Sequence, residues 1–393
     1  MVVFKPFSPY MPTHPARVAA DPYDVVSIEE AQAVISENPD SFLAVDKPEA
    51  LQSDLSLEKW GELARHELER LYEKELTERP NGFYVYRLTS GQRQQTGLVA
   101  TFSVADYEAG RIKIHEHTRE TKERERVEHV RATRAHTGPI LLSHPPHANL
   151  KQILHKATDG DPLFSFTDER GVMHEGFMIP NRELARVMMI GATIPSIYIA
   201  DGHHRAKAAA VVSGMSGDRS QKNERSHFLG VLFPSDELTI LPYHRVLTAI
   251  SPEEVENMLD GLSFSYIIKE EDRLVLPNEH GVFGVAYRGK YYKLTKRQED
   301  PALDVAILQR DILTPYFNVE DIRTDARVDF VGGNKTASEL EKLTKVPDRL
   351  LFTCHETTMS QLMRVADDGG QMPPKSTWFE PKLKSGLFIH RFD

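Results

Sequence analysis

The sequence predicts an α/β (α+β) fold built from two domains, residues 1–235 and residues 236–393. Segments with the helical spacing of apolar residues alternate with short β-rich segments along the chain. Hydrophobic residues make up 40% and charged residues 27% of the chain, which is typical of folded proteins and argues against disorder. The pattern of elements restarts after Pro234, and 393 residues suffice for two separate cores.

The first domain is predicted to carry helices and strands in mixed order. Ser27, with Glu30 three residues later, is typical of a helix start. Two β-rich segments around a Ser-Gly turn predict a hairpin, and residues 139–146 are predicted to be a loop. The predicted helices are 27–36, 57–76, 121–135 and 206–212, and the predicted strands are 83–88, 95–102, 196–200 and 228–233.

The second domain is predicted to begin with a helix over 251–259, followed by strands within 281–294 and two further helices. Residues 331–336 precede a helix but lack the glycine spacing and the Gly-Lys-Thr order of a phosphate loop, so a simple turn is favoured. The proline-rich loop around Lys375 either presents this lysine to a ligand or packs as a cover segment, and the residues alone leave both interpretations open.

Charge and composition narrow the class of protein. The formal net charge is −10, whereas proteins that bind nucleic acid rely on lysine and arginine to displace phosphate counterions. The single cysteine, Cys354, excludes an internal disulfide and a multi-cysteine metal site. The most apolar stretch, 187–200, is shorter than the roughly 20 residues that cross a bilayer, and the N-terminus carries no secretion pattern. We therefore expect a cytoplasmic protein without a membrane partner.

The strongest local pattern is Asp201-Gly202-His203-His204-Arg205, between a predicted strand and a predicted helix. Glycine permits close backbone approach, and the first amides of a helix lack internal acceptors, so this turn is suited to phosphate. Arg205 adds a planar guanidinium, and the two histidines add donors or acid–base capacity. Asp201 is expected to bind Mg²⁺, which prefers oxygen ligands and bridges phosphates, although it can also simply cap the helix.

A second group of candidate residues lies at 115–117, His-Glu-His, between a predicted strand and a predicted helix. Glu116 is a candidate base for a hydroxyl group, and Arg131 and Arg134 on the following helix are candidate cations for a transferred phosphoryl group. The alternative for the helix is a solvent-exposed face with ion pairs. The alternative for 115–117 is a metal site, for which the sequence identifies no third ligand.

Six short motifs distributed over the chain form a specific combination. They are Asp-Pro-Tyr-Asp-Val (21–25), His-Glu (115–116), Arg-Ala-Thr-Arg-Ala (131–135), Asp-Gly-His-His-Arg (201–205), Leu-Pro-Tyr-His-Arg (241–245) and Met-Pro-Pro-Lys-Ser-Thr-Trp-Phe (372–379). In this combination the chain resembles domain-of-unknown-function family 1015 over essentially its whole length.

The Asp-Gly-His-His-Arg motif and the upstream His-Glu pair are also similar to those of the free serine kinases of the ParB/sulfiredoxin superfamily. This resemblance implies a ParB/sulfiredoxin-like catalytic core with N-terminal additions and a C-terminal α+β domain. It further implies that the chain phosphorylates L-serine to O-phospho-L-serine, with ADP or ATP as donor and Mg²⁺ as cofactor. Glu116 then corresponds to the catalytic glutamate, with Asp201 and His204 as further catalytic residues. The residues expected to bind phosphate and nucleotide are Gly202, His203, His204, Arg205, Arg131 and Arg134.

Two other functions remain open at this point. One is a nucleotide-binding conformational switch without turnover, because the motifs needed to bind phosphate are the same. The other is a ParB-like nucleic-acid-associated protein, which the acidic charge and the absence of an arginine-rich motif disfavour. Sulfinic acid reduction is not expected, since His203 stands where sulfiredoxins carry a cysteine.

Overall fold

A computed structural model of the protein describes residues 2–116, 118, 120–215, 217, 220 and 223–392. It confirms the mixed α/β class, with strands and helices in each of two compact units. The first unit comprises residues 1–238 together with 381–393, and the second comprises residues 239–380. The division predicted after residue 235 lies close to this break, but it does not include the return of residues 381–393 to the first unit.

The first unit is built on a large mixed sheet. The strands of this unit, in chain order, are β1 (Phe4–Lys5), β2 (Tyr10–Pro12), β3 (Leu76–Glu78), β4 (Tyr84–Ser90), β5 (Arg93–Ser103), β6 (Ile112–Lys113), β7 (Ala135–His136), β8 (Ile140–His144), β9 (Phe164–Thr167), β10 (Met173–Met178), β11 (Ile197–Asp201) and β12 (His227–Pro234). The main sheet runs in the order β6–β11–β8–β12–β5–β4–β10–β9, and β1 also pairs with β5. Strand β11 runs parallel to β6 and antiparallel to β8, while β8 and β12 are parallel.

The first unit also contains helices, some of which pack on this sheet while others form separate apolar cores. They are α1 (Pro15–Val18), α2 (Ile28–Glu37), α3 (Leu43–Asp46), α4 (Leu57–Lys74), α5 (Val104–Glu108), α6 (Glu120–Thr133), α7 (Ala148–Ala157), α8 (Leu184–Gly191) and α9 (His203–Met215). The small residues Ala206 and Ala209 of α9 pack in the same core as Leu142 of β8 and Ile199 of β11. In the part of the chain that the structure describes, no helix has the length and apolarity that crossing a membrane requires.

Patterns that depend on neighbouring residues are confirmed. The Ser27 hydroxyl accepts a hydrogen bond from the Glu30 amide, and the Glu30 carboxylate accepts one from the Ser27 amide, so α2 begins where the capping pattern predicts. The predicted hairpin is the antiparallel pair β4 and β5, in which Ser90 lies opposite Arg93.

The loop predicted over residues 139–146 is wrong. Residues 140–144 form β8, which lies inside the main sheet between β11 and β12. Its apolar side chains, among them Ile140 and Leu142, are buried. A short continuous apolar run is the pattern of an internal strand covered on both faces, and the flanking prolines mark the ends of the strand.

The second unit has its own sheet and its own core. Its strands are β13 (Thr239–Leu241), β14 (Tyr243–Leu247), β15 (Tyr266–Glu271), β16 (Val282–Tyr287), β17 (Lys290–Lys296), β18 (Val328–Gly332), β19 (Leu350–Cys354) and β20 (Trp378–Glu380), and its helices are α10 (Pro252–Leu262), α11 (Asp304–Leu308), α12 (Thr314–Phe317), α13 (Ala337–Leu343) and α14 (Met359–Asp367). The sheet order is β15–β17–β16–β19–β14–β18, and β13 pairs with β20. The helix predicted at 251–259 and the strands predicted within 281–294 are confirmed as α10, β16 and β17.

The end of the chain, residues 381–393, packs as part of the first unit. Ser385 and Ala20 exchange two backbone hydrogen bonds, and strand β21 (His390–Arg391) pairs with β7, with His390 opposite His136. This segment therefore passes along elements that are far away in sequence, which is why a linear division of the chain places it in the other domain.

Candidate functional site

The predicted phosphate-binding motif forms the turn between β11 and α9. The pairing of β11 with β8 shifts in register between Ile199 and Asp201, and α9 begins two residues later at His203. Gly202 joins them with a φ of +98°, a conformation that residues with a side chain rarely adopt. The turn thus places helix amides that lack an internal acceptor at the end of a buried strand, an arrangement that binds anions.

The structure brings Glu116 to this turn. Because β6 runs parallel to β11, the residues that follow β6 lie beside the end of β11. The His115 amide donates to His203 Nε2 at 3.5 Å, and the two imidazole rings lie 4.5 Å apart at 89°. One side-chain ligand atom from each of His115, Glu116 and His203 lies within 4.8 Å of the other two. His117, the other histidine of the predicted group, lies outside the described residues.

The two histidines of this cluster are neutral near pH 7. Burial lowers the pKa of His115 to about 4, although the nearby Asp201 carboxylate acts in the opposite direction. Burial, with the neighbouring His115 adding to it, holds the pKa of His203 well below its ordinary value. Neutral imidazoles can accept a proton or bind a metal ion through a nitrogen lone pair, but they supply no permanent positive charge for a phosphate.

Asp201, the predicted magnesium ligand, is paired with a lysine from the C-terminal segment. Lys382 Nζ lies 2.7 Å from Asp201 Oδ2. Burial acts to raise the pKa of the Asp201 carboxyl, but the charge and hydrogen bond of Lys382 outweigh it and lower the pKa to about 2. Magnesium prefers oxygen ligands, whereas the groups that act on Asp201 include the Lys382 ammonium, the Arg205 guanidinium and the imidazoles of the two histidines. The surroundings of Asp201 therefore do not fit a magnesium ion held by the protein.

Arg205 extends from α9 into a buried network around Asp46. Its Nη1 donates to the Pro139 carbonyl at 3.2 Å, and its Nη2 donates to Ser385 Oγ at 3.1 Å. The same Nη2 lies 3.6 Å from Asp46 Oδ2. Arg205 is thus fastened to three separate segments of the first unit, so it anchors the start of α9 in addition to any contact with phosphate.

Helix α6 buries a different pair of basic residues from the predicted pair, a guanidinium and an imidazole whose pKa burial lowers to about 4. Arg131 donates twice, at 2.8 Å, to Glu128 on the exposed side of the helix, and Arg134 is exposed just beyond the end of α6. The buried face instead carries Arg126 and His129. Val130 and Thr133 complete this buried face, whereas Arg134 lies beyond the end of the helix. Arg131 and Arg134 are both exposed, and their role as phosphate ligands stays a prediction.

Sequence reasoning missed the lysines of the C-terminal segment. Lys384 lies 2.7 Å from Asp21 and 2.9 Å from Asp168, and Lys382 binds the motif aspartate. Between the two lysines, Leu383 is buried. Alternating polar and apolar residues point to opposite sides of an extended segment, and this Lys-Leu-Lys alternation was the available signal.

The remaining predicted residues have simpler surroundings. His204 is half-buried at the second position of α9. In the second unit, the Lys375 ammonium lies 5.5 Å from the centre of the Tyr243 ring. The turn predicted at 331–336 is confirmed, because Thr336 caps α13 through a reciprocal pair of hydrogen bonds with Glu339.

Several solved structures of other proteins are similar to this chain. A free serine kinase mutant in complex with ADP is 14% identical with a TM-score of 0.40, covering 74% of this chain and 92% of that one. SbnI with a C-terminal truncation, from Staphylococcus aureus, is 10% identical with a TM-score of 0.43, covering 74% and 87%. A conserved hypothetical protein from Pyrococcus furiosus is 12% identical with a TM-score of 0.38, covering 75% and 95%.

The comparison with curated proteins gives no match. The family model described as "Protein of unknown function (DUF1015)" matches residues 4–314. This match spans all of the β11–α9 site apart from the C-terminal lysine, and it agrees with the motifs in the sequence. The chain therefore belongs to the DUF1015 family.

Proposed function

We propose that the chain is a nucleotide-dependent kinase for a small hydroxyl compound, with L-serine as the preferred acceptor and O-phospho-L-serine as the product. The observation that carries this proposal is the meeting of Glu116 with His203 at the start of α9. A carboxylate beside a helix start combines a base for a hydroxyl with a binding site for phosphate. The similarity of the two motifs to free serine kinases directs the choice of serine.

In the proposed reaction, the serine hydroxyl oxygen attacks the terminal phosphorus of ADP or ATP while Glu116 takes the hydroxyl proton. The bond between this phosphorus and the bridging oxygen breaks, which leaves AMP or ADP. The Glu116 carboxyl then releases its proton to solvent. Positioning and charge stabilisation dominate phosphoryl transfer, so the main task of the protein is to hold the two reactants in line.

The phosphates would lie at the start of α9, against the backbone amides that follow Gly202 and the half-buried side chain of His204. The helix dipole and the Arg205 guanidinium contribute positive charge there. Asp201, held by Lys382, would orient the turn and not a metal. Magnesium would arrive with the nucleotide phosphates, which it ordinarily bridges.

The test is phosphorus NMR of the purified protein with magnesium, ADP or ATP, and L-serine. A phosphoserine signal should appear, and Glu116→Gln should reduce its rate of formation by roughly 10²–10⁴-fold, the usual contribution of a general base. Nucleotide affinity, measured by calorimetry, should stay within about twofold of the wild type. Glu125→Gln on the exposed side of α6 is the matched control and should leave the rate unchanged.

Each alternative gives a different result in the same experiments. Nucleotide binding without a phosphoserine signal, for any hydroxyl acceptor tried, would contradict the kinase and favour a conformational switch. Full turnover by Glu116→Gln would leave the kinase standing and remove Glu116 as its base. A salt-dependent mobility shift with duplex DNA, and no nucleotide binding, would point to a nucleic-acid partner.

A further inference from the structure

The cluster of His115, Glu116 and His203 has a property that phosphoryl transfer does not use. His115 is 1% exposed, and neither of its ring nitrogens makes a hydrogen bond of standard geometry with a described residue, although the Ile199 backbone lies close by. A buried polar group without a partner costs about 1–3 kcal/mol. A ligand that binds one of these nitrogens would remove part of this cost. The buried His115 imidazole is therefore in a position suited to binding a ligand.

The three side chains converge from separate parts of the chain. His115 and Glu116 follow β6, whereas His203 opens α9, and their ligand atoms lie within 4.8 Å of one another. Metal–ligand distances of about 2.0–2.2 Å allow donor atoms to be separated by at most twice that length. Three donors in tetrahedral geometry at these distances lie roughly 3.3–3.6 Å apart, so side-chain movements of about 1–1.5 Å would bring all three onto one ion.

We propose that His115, Glu116 and His203 bind a divalent first-row transition-metal ion. Two imidazoles and one carboxylate form a donor set that suits zinc, cobalt, iron or manganese, whereas magnesium and calcium prefer oxygen alone. The set supplies three ligands, which leaves a coordination position open for a small molecule, as in catalytic metal sites.

The surroundings of the cluster favour a cation. The Asp201 carboxylate lies at the end of β11, two positions before His203. Its charge attracts a cation, and the ion pair with Lys382 keeps it from acting as a competing ligand.

This site stands whether or not the chain is a kinase. Coordination would engage the same Glu116 carboxylate that the proposed reaction uses as a base, so the binding assay is performed without nucleotide or serine. A chain that binds the ion but forms no phosphoserine contradicts the proposed function alone. A chain that forms phosphoserine but binds no ion contradicts this inference alone.

The experiment is a titration of the metal-free full-length protein with Co²⁺, followed by visible absorption and calorimetry. We expect one ion per chain, with the intense d–d bands of a site of low coordination number. Loss of outer-shell partners already weakens metal sites by 10–100-fold, so Glu116→Gln and His115→Gln should each weaken binding by about 100-fold or more. His66→Gln, which removes an exposed histidine from α4, is the matched control and should bind as the wild type does.

Circular dichroism identifies any variant that fails to fold. If His115→Gln does not fold, Glu116→Gln decides, because Glu116 is only half-buried. Stoichiometric binding that both cluster variants lose and the control keeps would support the site. The absence of uptake by the wild type, or equal affinity in a folded cluster variant, would overturn it, and so would loss of binding in His66→Gln.

Discussion

Replacing Asp46 with asparagine tests whether this buried carboxylate balances the charge that anchors the start of α9. Asp46 is 1% exposed, and its Oδ2 lies 3.6 Å from the Arg205 guanidinium. Its Oδ1 accepts a hydrogen bond from the Thr137 hydroxyl at 3.1 Å. Burial acts to raise the pKa of Asp46, but the charge of Arg205, with those of His129 and Arg126, outweighs it and lowers the pKa. Asparagine keeps the shape of the side chain, removes the charge and replaces one acceptor oxygen with an NH2 donor.

The expected loss of stability is about 3 kcal/mol. Two unit charges at this distance attract by roughly 4–5 kcal/mol at an effective dielectric constant of about 20, and their desolvation offsets part of this. Removing one partner of a buried pair costs about 3–5 kcal/mol, because the other charge stays buried. We expect the lower end, since asparagine can still accept the hydrogen bond from Thr137.

The assay is urea unfolding followed by tryptophan fluorescence. Trp60 of the first unit lies 5.1 Å from the Arg126 guanidinium, so it reports on this network, and Trp378→Phe removes the tryptophan of the second unit. The matched control is Glu125→Gln, which breaks an exposed pair with Lys122 and should cost less than about 1 kcal/mol. An Asp46→Asn protein as stable as this control would refute the reasoning.

Three further predictions concern the β11–α9 turn. Lys382→Met should raise the pKa of Asp201 from about 2 to its ordinary value of 3.8 or above. Carboxyl ¹³C NMR measures this pKa, and an unchanged value would show that the ion pair does not form in solution. Because burial lowers the pKa of His115 from 6.5 to about 4, its contribution to stability is complete above pH 6.5 and is lost as the pH falls toward 4, by about 3 kcal/mol. Other buried histidines lose stability in the same range, so urea unfolding at several pH values is compared between the wild type and His115→Gln, and an equal loss in both between pH 7 and pH 4 would contradict the prediction. Gly202→Ala should destabilise the protein by about 1–3 kcal/mol, since alanine is strained at a φ of +98°, and thermal unfolding measures this loss. Gly160→Ala, at an open position without a positive φ, is the control and should have little effect in that assay.

Features set by neighbouring residues could be predicted from the sequence. The Ser27–Glu30 capping box and the β4–β5 hairpin are confirmed because their hydrogen bonds join residues a few positions apart. The strand, glycine turn and helix around Asp201 to Arg205 were predictable for the same reason. The family assignment followed from motifs that can be read directly along the chain.

Features set by burial could be predicted only in part. The strand β8 was mistaken for a loop because Pro139 and Pro145 suggest a turn, whereas its place inside the sheet comes from pairing with β11 and β12. The sequence predicts the charged helix α6, but it does not show that Arg126 lies on the buried face while Arg131 is exposed. The apolar residues of α6 are too few to show which face is buried, so only packing against other elements decides it.

By itself, the sequence determined the mixed fold class, the capped helices, the Asp-Gly-His-His-Arg turn and the family, because each depends on local hydrogen bonding or on a contiguous motif. The tertiary structure alone decided which groups meet at that turn. It placed Glu116 beside His203, Lys382 on Asp201 and Asp46 beside Arg205. These partners are far apart along the chain. The sequence does not show which partner a charged group or an imidazole will have, because only strand pairing and burial bring the two groups together and remove the water between them.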